Sequence, residues 1–396
     1  MFSKCAQMLR EFNQRSMLKL LSKLLVLVVL LFGNALPLMA QGTTTLSKDD
    51  YKVATVKEVI SSKQQEVAGF QEFAQELKVD LWGDKSDEQI TAKYSELDNS
   101  SSRQEFKVGD WVVVLDAPVV TDGSDLAEKS YVVADFYRLP WLIMIGLGFL
   151  GFVGLLGGLK GLRSIFGLIV SVLILALYIV PQLALGANPL LSALVGVVAI
   201  AVLTFYLSHG FNRRVTIALI STLITLGITV LVSVFFVKIT NLLGIGSENA
   251  TLLQLGQFGE LNFQGLLLAG IVIGVLGVLD DVTTSQAATV AELKLANPNL
   301  TARELYVRGT RVGKEHIAAL VNTLVLAYAG AFLPLFLVFM MSDLTPSWFI
   351  VNSQEIAEEI VRTLVGSTAL LFAVPITTFL AAKYVKAEEG VHCCKH

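Results

Sequence analysis

Two adjacent carboxylates, Asp280 and Asp281, close the apolar run FQGLLLAGIVIGVLGVL. Ionised side chains are costly at membrane depth. Where they occur they face protein or a watered cavity and mark ion or substrate pathways. On an ideal helix with Asp281 at zero, Gly270, Gly274, Gly277, Ser285 and Glu292 all fall within about 40° of it, and Asp280 lies about 100° away. Glycines admit a second helix at short range, so the pattern predicts that Asp281 faces protein or a cavity, with Asp280 off that stripe. His316 opens the next apolar segment and is placed to pair with Asp281 or Glu292, as in a proton relay. Ser285 and Thr323 would line a polar route, and Asn322 sits on another side of its helix from His316. The predicted ion- or substrate-binding set is therefore Asp281, Ser285, Glu292, His316, Asn322 and Thr323, with Asp280 beside it. Two simpler readings stay open: the aspartates cap a span at the interface, and His316 is an interfacial residue next to Lys314.

Covalent chemistry has little support. The chain has no nucleophile elbow, no HExxH and no phosphate loop, the short motifs that carry hydrolytic or nucleotide chemistry. An intramembrane aspartyl protease needs a second aspartate on a facing helix, and no other helix centre supplies one. The reading is a non-enzyme with no cofactor. Cys5, Cys393 and Cys394 leave residues 41–139 without a disulfide, and the terminal HCCKH is too short and unscaffolded to hold a metal. Ser221, Thr225, Thr229 and Ser233 recur every fourth residue, a hydroxyl stripe that either lines a path or bonds back to its own helix. Glu358 and Arg362 are spaced for an ion pair. Gly154 with Gly158, and Gly157 with Gly161, are spaced for close helix contact or mark a hinge.

The elements that must hold these residues are apolar. The chain of 396 residues is 54% hydrophobic and 16% charged, against about 25% charged in soluble domains. Seven segments are long enough to span a bilayer, about 20 residues each: 141–159, 162–180, 189–207, 215–237, 262–282, 316–341 and 360–382. After the fifth segment the helix either runs on or breaks and re-enters. Basic residues collect in alternate turns: Lys160 and Arg163; Arg213 and Arg214; five Lys or Arg in 294–314; Lys383 and Lys386. The positive-inside rule puts those turns in the cytoplasm. In the 294–314 stretch, Thr301 and Glu304 form a capping box that starts a short helix leading into the sixth segment.

Ahead of the spans, residues 1–40 have the layout of a signal peptide or an uncleaved anchor helix. Residues 41–139 carry 19 acids against 11 bases, a net −8 within an overall −3. YKVATVKEVI, EFKVGDWVVVLDAPVV and KSYVVADFYRL are strand-like, and VGDWVVV reads as a tight turn delivering a strand. Trp82 and Trp111 are core or surface anchors. The predicted fold is an α-helical polytopic membrane protein: seven spans over 140–386, plus the N-terminal segment. A small extracytoplasmic β-rich, barrel-like domain lies at 41–139, and the tail 387–396 is cytoplasmic. The predicted partners are the lipid bilayer, a small solute or ion and an extracytoplasmic protein. Nothing points to nucleic acid.

LLLAGIVIGVLGVLDDVTTSQAATVAEL, GTRVGKEHIAALVNTLVLAYAGAFLPL and VRTLVGSTALLFAVPITTFLAA, with VGDWVVV and YVVADFYR before the first span, resemble the YibE/F-like family of bacterial membrane proteins. That family has Asp-Val after the glycine-rich run, matching Asp281 and Val282. Ser285, Glu292, Gly313, Asn322, Thr323 and Pro375 fall on matching positions, and Asp280 is an extra acid. The resemblance implies a multi-pass protein of the bacterial cytoplasmic membrane and brings no settled activity. The function these readings favour is transport, ion- or proton-coupled through Asp281. The other is a non-transporting assembly or sensory component whose outer domain binds a partner.

Overall fold

The computed structural model describes residues 50–67, 70–82, 90–97, 104–118, 129–255, 261–341 and 346–385. The signal or anchor segment and the HCCKH tail lie outside the described residues. The chain divides into two compact units between Leu155 and Leu156.

The first unit contains a closed five-stranded barrel in the order β1-β2-β3-β5-β4. Its strands are β1 (Tyr51–Val67), β2 (Phe70–Leu81), β3 (Ile90–Leu97), β4 (Trp111–Pro118) and β5 (Lys129–Phe136). β3 and β5 run parallel, and β4 returns to pair with β1. This is the strand order of an OB-type Greek-key barrel. Closure needs a strongly coiled strand, and β1 supplies it with register shifts at Val56/Glu58 and Val59/Ser61. Period-2 patterning fills the interior with Phe73, Leu77, Val79, Val112, Val114 and Val133, all buried. The predicted turn before β4 is present: Gly109 adopts φ 97°, and its N–H donates to the Val56 carbonyl at 2.8 Å.

Gln75 occupies an interior position of β2 at 2% exposure. Its amide donates to the Phe106 carbonyl and accepts from the Phe106 N–H at 2.9 Å, so one side chain stands in for a strand neighbour. Gln75→Leu is expected to destabilise the barrel by about 2–4 kcal/mol, because both backbone groups of Phe106 lose a partner in a dry interior. Hydrogen exchange of the Phe106 amide in the full-length protein checks this, and unchanged protection would refute it. At the last strand, Arg138 bonds Asp135 and, with Gln104, holds its carboxyl below the ordinary 3.8. A carboxylate depressed in the folded state stabilises at pH above its unfolded value, and loses that contribution as pH falls through the lower folded one. The pair is about half exposed, so solvent screening keeps the effect small. Asp135→Asn should lower stability slightly at neutral pH, where the contribution is present, and converge with the parent below about pH 4, so that the barrel's acid limb is flatter.

The second unit is helical, and the helix that enters it begins within the first unit. α1 (Leu139–Ile174) breaks at Gly158, φ 55°, into two spans, Leu139–Gly158 and Gly161–Ala184; the second continues through a π turn, Leu175–Ile179, and α2 (Val180–Ala184). A Cβ at Gly158 would meet nothing within 4 Å, so this glycine serves a backbone break and not a tight helix contact. α3 (Pro189–His209), α4 (Arg213–Ile239), α6 (Phe263–Ala296) and α10 (Gln354–Tyr384) are the other four helices long and apolar enough to cross a membrane, giving six among the described residues. α5 (Glu248–Leu255) connects α4 to α6. α4 packs on both α6 and α10, and α3 packs on α6.

The predicted sixth segment differs. It is the second half of α7 (Ala302–Ala331) followed by α8 (Leu333–Met340), stepped at Phe332. The Thr301–Glu304 capping box is present, but it starts one 30-residue helix instead of a short separate one. The charged first half of α7 keeps that helix out of the set of six. α9 (Ser347–Asn352) then leads into α10. The fifth segment runs on without a break for 34 residues, about 50 Å.

Candidate functional site

Two polar clasps set the orientation of α6. The hydroxyls of Thr283 and Thr222 are 2.7 Å apart and tie α6 to α4. Gln286, 4% exposed, donates to the Gly309 carbonyl at 2.9 Å and to the Thr378 hydroxyl at 2.7 Å, joining α6, α7 and α10. The rest of this buried face is apolar and built largely from branched residues, Val272, Val275, Leu279 and Val282 among them. With its apolar face and both clasps committed to protein, α6 turns its remaining side outward.

On that side lies a cavity of about 370 Å³ between the second span of α1, α3 and α6. Its polar lining is Ser164, Ser171, Thr204, Ser208 and Asp280. Ser171 donates to the Gly167 carbonyl at 3.0 Å and Thr204 to the Ile200 carbonyl at 2.9 Å. A hydroxyl whose proton is spent on its own helix can still accept, so both present lone pairs. Asp280 adds a carboxylate whose Oδ1 is buried and has no hydrogen-bond partner. The cavity is rich in acceptors, which suits a cation or a protonated group. Gly167 keeps its walls close, since a Cβ there would come within 2.7 Å of the Ser208 hydroxyl. Gly277 forms part of the wall and has open space where a Cβ would stand.

The predicted set is placed differently. Asp281, Glu292, His316, Asn322 and Thr323 are exposed, and Ser285 is half-buried. Gly270 and Gly277 have nothing within 4 Å of a Cβ, and Gly274 has only the Tyr328 hydroxyl at 3.8 Å. The expectation that Asp281 faces protein or a cavity is therefore corrected: Asp281 is exposed, and Asp280 is the aspartate that lines the cavity. Asp281 lies within electrostatic reach of Asp280 and His209. Among the described residues no hydrogen bond or ion pair joins Asp281, Glu292 and His316. Ser285 donates to the Val282 carbonyl and Thr323 to the Ala319 carbonyl. The α4 stripe takes its back-bonded alternative. Ser221, Thr225, Thr229 and Ser233 are buried, and three of them donate to a carbonyl four residues back.

At the N-terminal end of α10, the ion pair also differs from expectation. Arg362 pairs with Glu359 at 2.6 Å, and Glu358 accepts from the Gly246 N–H at 3.0 Å. Gly246 is required there, because a Cβ would fall 2.8 Å from the Glu355 Cα.

The model of a protein family described as YibE/F-like protein matches residues 145–387, more than half of the chain. No curated protein and no solved structure matches it.

Proposed function

Because the chain belongs to the YibE/F-like family and holds a carboxylate in a hydroxyl-lined chamber of its helical bundle, we propose that it is a permease-like protein for a small cation or protons. Asp280 is the coordinating group, and Asp281 and His209 stand near it. The observation that carries this reading is that Asp280, whose Oδ1 is buried without a partner, lines the same cavity as four hydroxyl side chains. In this reading the basic turns lie in the cytoplasm of a bacterial cell and the barrel lies outside. No covalent step is assigned.

The test is flux into proteoliposomes containing the full-length protein, with monovalent cations, divalent cations and a pH gradient offered separately. Flux no greater than in empty vesicles in every arm would sink the proposal. Gly277→Leu probes the same chamber by volume. Its Cβ enters open space and leucine favours helix, so the fold is retained while flux falls at least about tenfold, as expected where a site a few kcal/mol deep is filled.

A second reading rests on the barrel. Trp82 has edge contacts with Trp111 at 5.1 Å and Tyr137 at 5.9 Å, and both tryptophans are partly exposed. Exposed aromatic clusters of this kind serve as contact anchors, consistent with an assembly component that binds a protein partner. In that case Asp280→Asn changes protein level and no flux is measured.

A further inference from the structure

Two further hollows meet at α10, one between α7, α8 and α10 and the other between the α4–α5 connection, α5, α6 and α10. Pro334 cannot donate into the helical ladder, and the chain steps at Phe332. Beside the step is an apolar hollow of about 260 Å³, with Val325, Phe336, Ile360 and Leu364 in its walls. Next to it is a more polar hollow of about 290 Å³, in whose walls Ser247, Asn249, Glu355 and Arg362 stand among leucines. Phe332 and Glu359 belong to both. Glu359 and Arg362 pair through one oxygen and one terminal nitrogen, which leaves the Glu359 Oε2 and the Arg362 Nε buried without partners. Glu358 is already committed to the α4–α5 connection. An unsatisfied acceptor and an unsatisfied donor side by side ask for a ligand that carries both a cationic donor and an anionic acceptor. The apolar hollow is open: Val325, Ile360 and Leu364 are 45%, 40% and 52% exposed on helices that pack in a membrane protein.

We propose that these hollows bind one aminophospholipid. Its ammonium meets Glu359, its phosphodiester meets Arg362, and an acyl chain lies along Phe336 and Leu364. The site does not depend on the role of Asp280. The full-length protein is placed in nanodiscs of equal phosphatidylethanolamine and phosphatidylglycerol, and the lipids it retains on release are read by native mass spectrometry. The expected result is about tenfold enrichment of phosphatidylethanolamine, the scale of one charge-assisted hydrogen bond. Glu359→Gln should abolish that preference. Leu364→Trp, at an exposed position, should lower total retention while the ion pair stays in place. Equal retention of the two lipids by the unsubstituted protein overturns the proposal, as does unchanged retention in both variants. Displacement by chain-free glycerophosphoethanolamine at equal concentration, or a lipid-free doubled mass, assigns the hollows to a soluble zwitterion or a second copy and also overturns it.

Discussion

Asp280→Asn is expected to lower cation or proton flux by about ten- to a hundredfold, the range expected for losing a charge-assisted contact in a site shielded from water. Asparagine keeps the shape of the side chain and can donate a hydrogen bond, so the chamber stays formed. What it removes is the charge and the ability to take up and release a proton. Asp281→Asn is the matched control. Asp281 is exposed and outside the cavity lining, so its loss should reduce flux by no more than a few-fold, through the field it exerts at Asp280. The comparison decides between the two aspartates. If Asp281→Asn abolishes flux and Asp280→Asn does not, the chamber is not the route. Protein level and helix content, measured alongside, separate a transport defect from a folding one.

The large features were legible because they follow from local patterns. Apolar run length marked the spans, and the Thr301–Glu304 spacing marked the start of α7. β1, β4 and β5 showed as β-branched runs. β2 and β3 are harder to read, because outward positions carry Glu76, Lys78, Asp80 and Lys93, and Gln75 interrupts the apolar alternation of β2. The helical wheel separated Asp280 from Asp281 and assigned the open side of α6 to the wrong partner. Glycine permits close approach without requiring it. On α6 the close contacts are made by branched residues, Thr283 and Gln286, while Gly270 and Gly277 face open space. The cavity itself has no local signature. Its hydroxyls come from two helices far from Asp280 in sequence, so only the fold brings them together.

The second large effect concerns the clasp that fixes α6. Gly313 lies on α7 where a Cβ would collide with the Val374 side chain and stand 2.8 Å from the Gln286 Oε1. Gly309, one turn earlier, would place a Cβ 2.9 Å from both Thr378 and Val290. These two glycines do what the α6 glycines do not: they let α7 approach closely enough for Gln286 to bond across to it. Gly313→Ala should cost about 1–3 kcal/mol through overpacking, and Gly313→Val should cost more, since it adds two stiffly held methyl groups to a Cβ that is already too close to both neighbours. Gly330→Ala on the same helix is the control. Nothing lies within 4 Å of its Cβ, so alanine is tolerated and gains helix propensity. Thermal stability in detergent, followed by size-exclusion chromatography, reads the difference. The expected order is Gly330→Ala at least as stable as the parent, Gly313→Ala lower, and Gly313→Val lowest. Equal stability of the two alanine variants would mean that the α6–α7–α10 contact does not hold α6, and the placement of Asp280 would then need another cause.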